Sequence, residues 1–246
     1  MNRRDFLILS ALSPAFAKEF VAEDKHIYLP LQDMQTLHTL SKRLNRLRRF
    51  IGYANFNIVS LDEALYYARN YSKIGAFTQK EKELIEKPFF MDPSTLGFYG
   101  EKTVHKISHV IKKQDVKKIP YSGHFIFQGK PLEDYHRIIN DIGKNVILTS
   151  GVRNVIKQLS LYINKITNLN GNLTKASTII APPAYTYHAI SDFDIGKKGW
   201  GERNFTADFA RTEEFAKMRK LNYVSIRYTI NNKDGVRFEP WHVKVI

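Results

Sequence analysis

The chain has no cysteine. That excludes disulfide staples and any thiolate, whether as nucleophile or as ligand, so a metal site must be built from histidine and carboxylate. Acidic residues are scarce beside basic ones, 24 against 38, for a formal net charge of +14. Such a surface attracts polyanions: anionic cell-envelope polymer, lipid headgroups or nucleic acid. The basic residues form no nucleic-acid recognition motif, which sets nucleic acid aside. Past the extreme N-terminus no apolar run is long enough to span a bilayer. What is present is globular in character. Hydrophobic residues make up 43% and aromatics 13%, unlike a disordered chain. A length of 246 residues suits one large domain, or a small one with a substantial arm.

The first residues, MNRRDFLILSALSPAFA, read as an address. Arg3-Arg4 is a basic start, Phe6 to Leu12 an apolar run, and Ala15-Phe16-Ala17 a small-x-small cleavage site. Arg3-Arg4-Asp5-Phe6-Leu7 also fits the twin-arginine export signature, with an ordinary secretory signal as the alternative. Residues 1–17 are therefore expected to be a signal peptide, and the protein exported to the periplasm or cell envelope. Losing them removes two arginines and one aspartate and leaves +13. In that compartment an envelope polymer or membrane surface is the expected polyanionic partner.

Residues 18–118 read as a helical N-terminal region. From about Met34, Leu37, Leu40, Leu44, Leu47 and Ile51 recur at helical steps. Lys42, Arg43, Arg46, Arg48 and Arg49 occupy the other face, either solvated or in contact with a polyanion or membrane. Ser60 with Glu63 and Thr78 with Glu81 are capping boxes, and Pro88 is expected to help stop the second of these helices. Residues 102–112 are expected to be helical. That would place His105 and His109 four apart, but Lys106 stands where a His-Glu-x-x-His motif needs glutamate, so the two read as a surface pair.

In the second half, Tyr121 to Phe127 reads as a strand and Pro131 to Ile142 as a helix closed by Gly143. Asn145 to Thr149 reads as a buried strand, followed by a helix from about Asn154 to Ile166. Ser177 to Ala181 is expected to be a short strand, Thr212 to Leu221 a helix and Tyr223 to Ile230 an alternating strand. Asn231 to Gly235 is a hairpin turn, and the chain returns from Val236 to Ile246.

Two pieces carry chemistry: Ala181 to Gly196, APPAYTYHAISDFDIG, and the tail FEPWH, Phe238 to His242. His188, Asp194 and His242 are the residue types that hold a catalytic zinc with one position kept for water. Glu239 is a carboxylate able to take that water's proton. On a flat strand Glu239 and His242, three apart, point to opposite faces, so the Pro240-Trp241 step must bend the backbone if both are to meet one ion.

These motifs resemble the VanY-type zinc D,D- and L,D-carboxypeptidases of bacterial cell walls. Pro182-Pro183-Ala184-Tyr185-Thr186-Tyr187-His188 followed by Asp194-Ile195-Gly196 is similar to the family's first motif. Glu239-Pro240-Trp241-His242 matches the second, and Ser150-Gly151-Val152-Arg153 through Gln158 a third. The resemblance covers about Asn145 to Ile246. It departs in having five residues rather than six between His188 and the aspartate, and in Ser191 and Phe193 where the family has Gly and Ala. Asp192 is a second ligand candidate; Asp194 is taken because Ile195-Gly196 follows it.

The resemblance implies an α+β fold, a small mostly antiparallel sheet with helices around a central zinc cleft, in a peptidase domain spanning residues 119–246. It implies one zinc ion held by His188, Asp194 and His242, with Glu239 as base. Arg153 would hold the substrate's terminal carboxylate, with Thr186 and Gln158 also near substrate. The substrate would be a peptidoglycan stem peptide that loses its C-terminal D-amino acid. Two alternatives stay open: an endopeptidase of the stem peptide or crosslink, and a non-catalytic wall-binding relative.

Overall fold

The computed structural model describes residues 26–246; the expected leader, residues 1–17, lies outside them. Helix α1 (Leu31–Ile51) buries Leu37, Leu40, Leu44 and Leu47, the stripe expected from the heptad-like spacing. A short α2 (Tyr53–Phe56) turns the chain into α3 (Leu61–Asn70). Both α3 and α4 (Gln79–Phe90) start at complete capping boxes, Ser60 with Glu63 and Thr78 with Glu81, which satisfy donors that the helix geometry leaves free. Helix α4 runs two residues past Pro88, so that proline does not stop it.

Residues 102–112 are not helical. Thr103 and Val104 instead donate their backbone N–H groups to Ala184 O at 2.9 and 3.0 Å, laying the segment along the loop that leads to His188. Long-range pairing wins over local propensity there, and His105 and His109 form no paired face.

A hairpin follows, β1 (Val116–Lys118) against β2 (Phe125–Phe127). Helix α5 (Lys130–Ile142) has proline in its first turn and closes at Gly143. Then come β3 (Val146–Ser150), α6 (Val155–Asn168), and α7 (Leu173–Ser177). The last is capped by the Asn172 side chain, which accepts from Lys175 N at 2.8 Å, and it ends at Ser177; residues 178–181 then turn, with Ile179 N and Ile180 N donating to Ala176 O, so the strand expected over Ser177 to Ala181 does not form. β4 (Phe193–Lys197), α8 (Glu213–Met218), β5 (Ser225–Ile226) and β6 (His242–Lys244) complete the fold.

Strands β3 to β6 form one four-stranded sheet in the order β3-β4-β6-β5, antiparallel at every junction. One face packs on Tyr135, Ile138 and Ile142 of α5 and Phe215 and Met218 of α8 through Val146, Leu148, Phe193, Ile195 and Val243. The fold is thus α+β around a small antiparallel sheet. A second cluster joins α1, α3 and α4 to Ile156, Leu159, Tyr162, Ile163 and Ile166 of α6. Helix α6, which follows β3 in the chain, is therefore the element on which the N-terminal helices pack. Among the described residues no helix is long and apolar enough to cross a membrane.

Candidate metal centre

The sheet's other face carries the site. Strand β4 alternates, so Phe193 and Ile195 enter the core while Asp194 points the opposite way. Asp194 lies opposite His242 on β6 and opposite Ser150 at a bulge in β3, so three polar residues form a row across three strands.

His242 reaches that row through a turn. Its N–H donates to Glu239 O at 3.1 Å, with Pro240 and Trp241 between, a position for which proline's fixed φ is suited. The backbone bends, and His242 Nδ1 comes within 3.5 Å of Glu239 Oε2. Trp241 swings into the core.

His188 arrives from a short 3-10 turn, Tyr187–Ala189. Its Nδ1 donates to Gly151 O at 2.8 Å, while Arg153 N donates to His188 O at 3.0 Å. That bond fixes the tautomer and leaves the Nε2 lone pair aimed at Asp194 Oδ1, 3.3 Å away. Asp194 Oδ1 is also 3.4 Å from His242 Nδ1. His188 and Asp194 are each 1% exposed, His242 3% and Glu239 8%. One donor atom each from His188, Asp194 and His242 lie within 4.8 Å of one another, the single such cluster among the described residues.

Two atoms at its centre, His188 Nε2 and Asp194 Oδ1, are buried and have no hydrogen-bond partner among the described residues. Both present lone pairs to each other. Burial, then the Arg153 charge, pushes His188 down to about 4, keeping the imidazole neutral. Burial works against charge on Asp194, but the positive charges of Arg153 and His242 hold its carboxyl well below the usual range. Burial would lower His242 as well, yet the Asp192 and Glu239 side chains and the Asp194 charge raise it to about 9.

Asp192 lies behind His242. Its Oδ2 is 3.1 Å from His242 Nε2, and it accepts from both Arg227 Nε and Arg227 Nη2, from Val245 N at 3.1 Å and from Ser191 Oγ at 3.1 Å. A carboxylate with every acceptor position filled in this way is not free to be a ligand; it orients the imidazole. Its partner Arg227, stacked 3.5 Å over the Tyr187 ring, lies 35 residues away, which no local pattern in the sequence connects. Tyr228 packs edge-on to His242 at 4.9 Å, its phenol raised well above the ordinary value by burial and the Glu239 carboxylate.

Arg153 is placed against the row itself. Its Nη2 pairs with Asp194 Oδ2, and its Nε donates to Ser150 Oγ at 2.7 Å. Gln158 is buried and donates from Nε2 to Ala181 O at 2.7 Å, pinning the start of the Pro182-Pro183 entry. Thr186 is buried, and its carbonyl accepts from Thr103 Oγ1 at 2.9 Å.

The profile of the family described as VanY, D-alanyl-D-alanine carboxypeptidase, matches residues 130–246. Those residues belong to the VanY-type family. The match takes in all the strands of the four-stranded sheet and every residue of the central row. Solved structures with a similar fold include the LdcB LD-carboxypeptidase, 19% identical, with 55% of this chain and 70% of that chain covered and a TM-score of 0.45. The vancomycin-resistance D,D-pentapeptidase VanY in complex with Zn(II) is 18% identical, with 61% and 86% covered and a TM-score of 0.42. The D,D-dipeptidase VanXYg in complex with a D-Ala-D-Ala phosphinate analog is 18% identical, with 63% and 65% covered and a TM-score of 0.47. No curated protein matches the chain. Helices α1 to α4 and the β1–β2 hairpin precede the VanY-type region.

Proposed function

We propose that the chain is a zinc-dependent carboxypeptidase of the cell envelope that removes a C-terminal D-amino acid from peptidoglycan stem peptides, with residues 119–246 as its peptidase domain. The observation that carries this is the facing pair of lone pairs, His188 Nε2 and Asp194 Oδ1, buried, unpartnered and 3.3 Å apart, with His242 Nδ1 alongside. A cation relieves that repulsion. Two imidazoles and one carboxylate, with no thiolate in the chain, suit a single zinc and match the three-ligand pattern of catalytic sites. His188, Asp194 and His242 would hold it. When bound, zinc supplies a Lewis acid for the scissile carbonyl and lowers the pKa of a water to about 7. The family's description supports a D-alanyl-D-alanine end as substrate.

The protein's own residues supply the rest. Glu239 Oε2, 3.5 Å from His242 Nδ1, takes the water's proton and returns it to the leaving amine nitrogen. Gly151 O and Asp192 fix which nitrogen each imidazole turns inward. Arg153 offsets the buried charge of Asp194 and lies at the substrate side, with Thr186 and Gln158 shaping the loop that faces it.

The pairing of Arg153 favours a second reading. Two of its donor nitrogens are spent on Ser150 and Asp194, so it does not offer a free fork to a terminal carboxylate, as an endopeptidase would not need to. Incubating the zinc-loaded chain with defined muropeptides, with and without chelator, and weighing the products tests both. Release of one C-terminal residue, abolished by chelator, supports the carboxypeptidase. An internal cut selects the endopeptidase, and no cleavage removes both.

A further inference from the structure

The VanY-type region begins at residue 130, so it accounts for none of the surface of helices α1 and α3. That surface carries aromatic rings which the core does not take up. Helix α1 buries Leu40, Leu44 and Leu47, but Phe50, near its end, stays 39% exposed. The Phe50 ring lies 4.5 Å from that of Tyr71 and 6.3 Å from that of Tyr67, centroid to centroid. Tyr67 is in turn 5.8 Å from Tyr66 and 6.1 Å from Tyr71. Tyr66 is 54% exposed and Tyr71 41%. Single apolar residues on a surface are ordinary, but here rings from two elements touch one another and form a continuous patch, the mark of a contact surface.

Cations border the patch. Arg46 stands one turn before Phe50 on α1, and its Nε donates to Ile74 O at 2.9 Å. Ile74 N donates to Tyr71 O at 2.9 Å, so this bond holds the Tyr71–Ile74 turn, with Lys73 in it, beside the rings. Arg49 adjoins Phe50, and Arg69 lies three residues beyond Tyr66 on α3, on the same face. Arg49, Arg69 and Lys73 are all exposed. From Lys42 to Gly75 the chain has seven basic residues and two acidic ones. Both acids, Asp62 and Glu63, open α3, where the Glu63 carboxylate accepts from Ser60 N at 2.8 Å. Among the described residues Arg46, Arg49, Arg69 and Lys73 form no ion pair, whereas Arg43 on the same helix pairs with Glu81 at 2.8 Å.

The two features together select the partner. A soluble anionic polymer would meet the cations and leave the rings in water. An anionic bilayer meets both: its headgroup phosphates take the cations, and tyrosine rings settle at the headgroup level with their hydroxyls in water. Helix α1 does not insert, because its leucine stripe is already packed against α6 and the neighbouring helices. The contact is therefore shallow, made by rings and cations at the protein surface.

We propose that Phe50, Tyr66 and Tyr71, with Arg49, Arg69 and Lys73, form a docking face for an anionic phospholipid membrane. The inference does not depend on the peptidase reading. It gives the N-terminal helices the role of holding the VanY-type region at a membrane surface.

The test is co-sedimentation of the full chain with vesicles of phosphatidylcholine alone and of phosphatidylcholine and phosphatidylglycerol in equal parts. Binding to the anionic vesicles is expected to be about tenfold tighter or more, and to weaken as salt is added. Arg49→Gln with Lys73→Gln in one chain is expected to weaken it about tenfold or more, at about fivefold per charge. Tyr66→Ser with Tyr71→Ser is expected to weaken it about tenfold as well, with the thermal midpoint held in both variants. The N-terminal segment is the same in every variant, so vesicle binding that survives both pairs of substitutions comes from elsewhere in the chain and overturns the docking face. Equal binding to neutral vesicles overturns it too. Binding that the cation pair weakens and the tyrosine pair leaves unchanged, with soluble polyglycerol phosphate bound as tightly as the vesicles, assigns the face to an anionic polymer and overturns the membrane.

Discussion

Asp194 and His242 face each other across the β4–β6 ladder, with Asp194 Oδ1 3.4 Å from His242 Nδ1. The register of one antiparallel pair thus brings together two groups that are 48 residues apart by their numbers. Directly opposed residues share a face, and a slip of one position would send His242 into the core and Val243 to the site. The side chain that the Glu239–His242 turn adds is the base in the mechanism proposed above. In a Glu239→Gln variant the turn and the zinc ligands remain, so zinc content is expected to match wild type while turnover falls by about a hundredfold or more. Full turnover in that variant would remove Glu239 from the chemistry.

Asp192 acts through His242. Replacing it with asparagine keeps its shape but weakens the bond to His242 Nε2 and removes the charge that Arg227 meets. Zinc affinity is expected to fall about 10- to 100-fold, as for other partners of ligating imidazoles. Asp192→Ala should also cost about 3–5 kcal/mol of stability by stranding the largely buried Arg227. Competition with a fluorescent chelator and denaturant unfolding measure the two effects; unchanged zinc affinity in both variants would count against a positioning role.

Gly151 sits where the hairpin touches the site. A Cβ there would lie 1.9 Å from Phe125 O, while Gly151 O holds His188 in its tautomer. Gly151→Ala must push the hairpin and the His188 turn apart. A loss of about 2 kcal/mol or more is expected, with weakened zinc binding, read by thermal unfolding of the loaded and chelated forms. A variant as stable as wild type would show that the hairpin yields freely.

Much of this was legible in the chain because it is local. Ser60 with Glu63, Thr78 with Glu81, and Pro131 with Gly143 each mark a helix end within a few residues, and the helices begin and end there. The Pro240-Trp241 step announced a bend, since two side chains three apart on a strand cannot share a face. What the sequence hid is long-range. The helix expected over residues 102–112 gave way to hydrogen bonds with Ala184, 80 or so residues on. Of the strand expected over Tyr223 to Ile230, only Ser225–Ile226 pairs regularly, because β6 itself starts only after the Glu239–His242 turn. Asp192 looked like a rival to Asp194 because its true partner, Arg227, lies on another strand's extension. Arg153 looked like a free fork because nothing in its own segment shows that Asp194 lies beside it.

The most direct measurement is the metal content of the purified full chain together with zinc X-ray absorption spectroscopy. The expected result is one zinc per chain with two imidazole nitrogens at about 2.0–2.1 Å and carboxylate oxygen beside them, and loss of that signature in His188→Ala and His242→Ala. A chain that takes up no zinc, or a zinc signature unchanged by both substitutions, would contradict a metal centre at His188, Asp194 and His242.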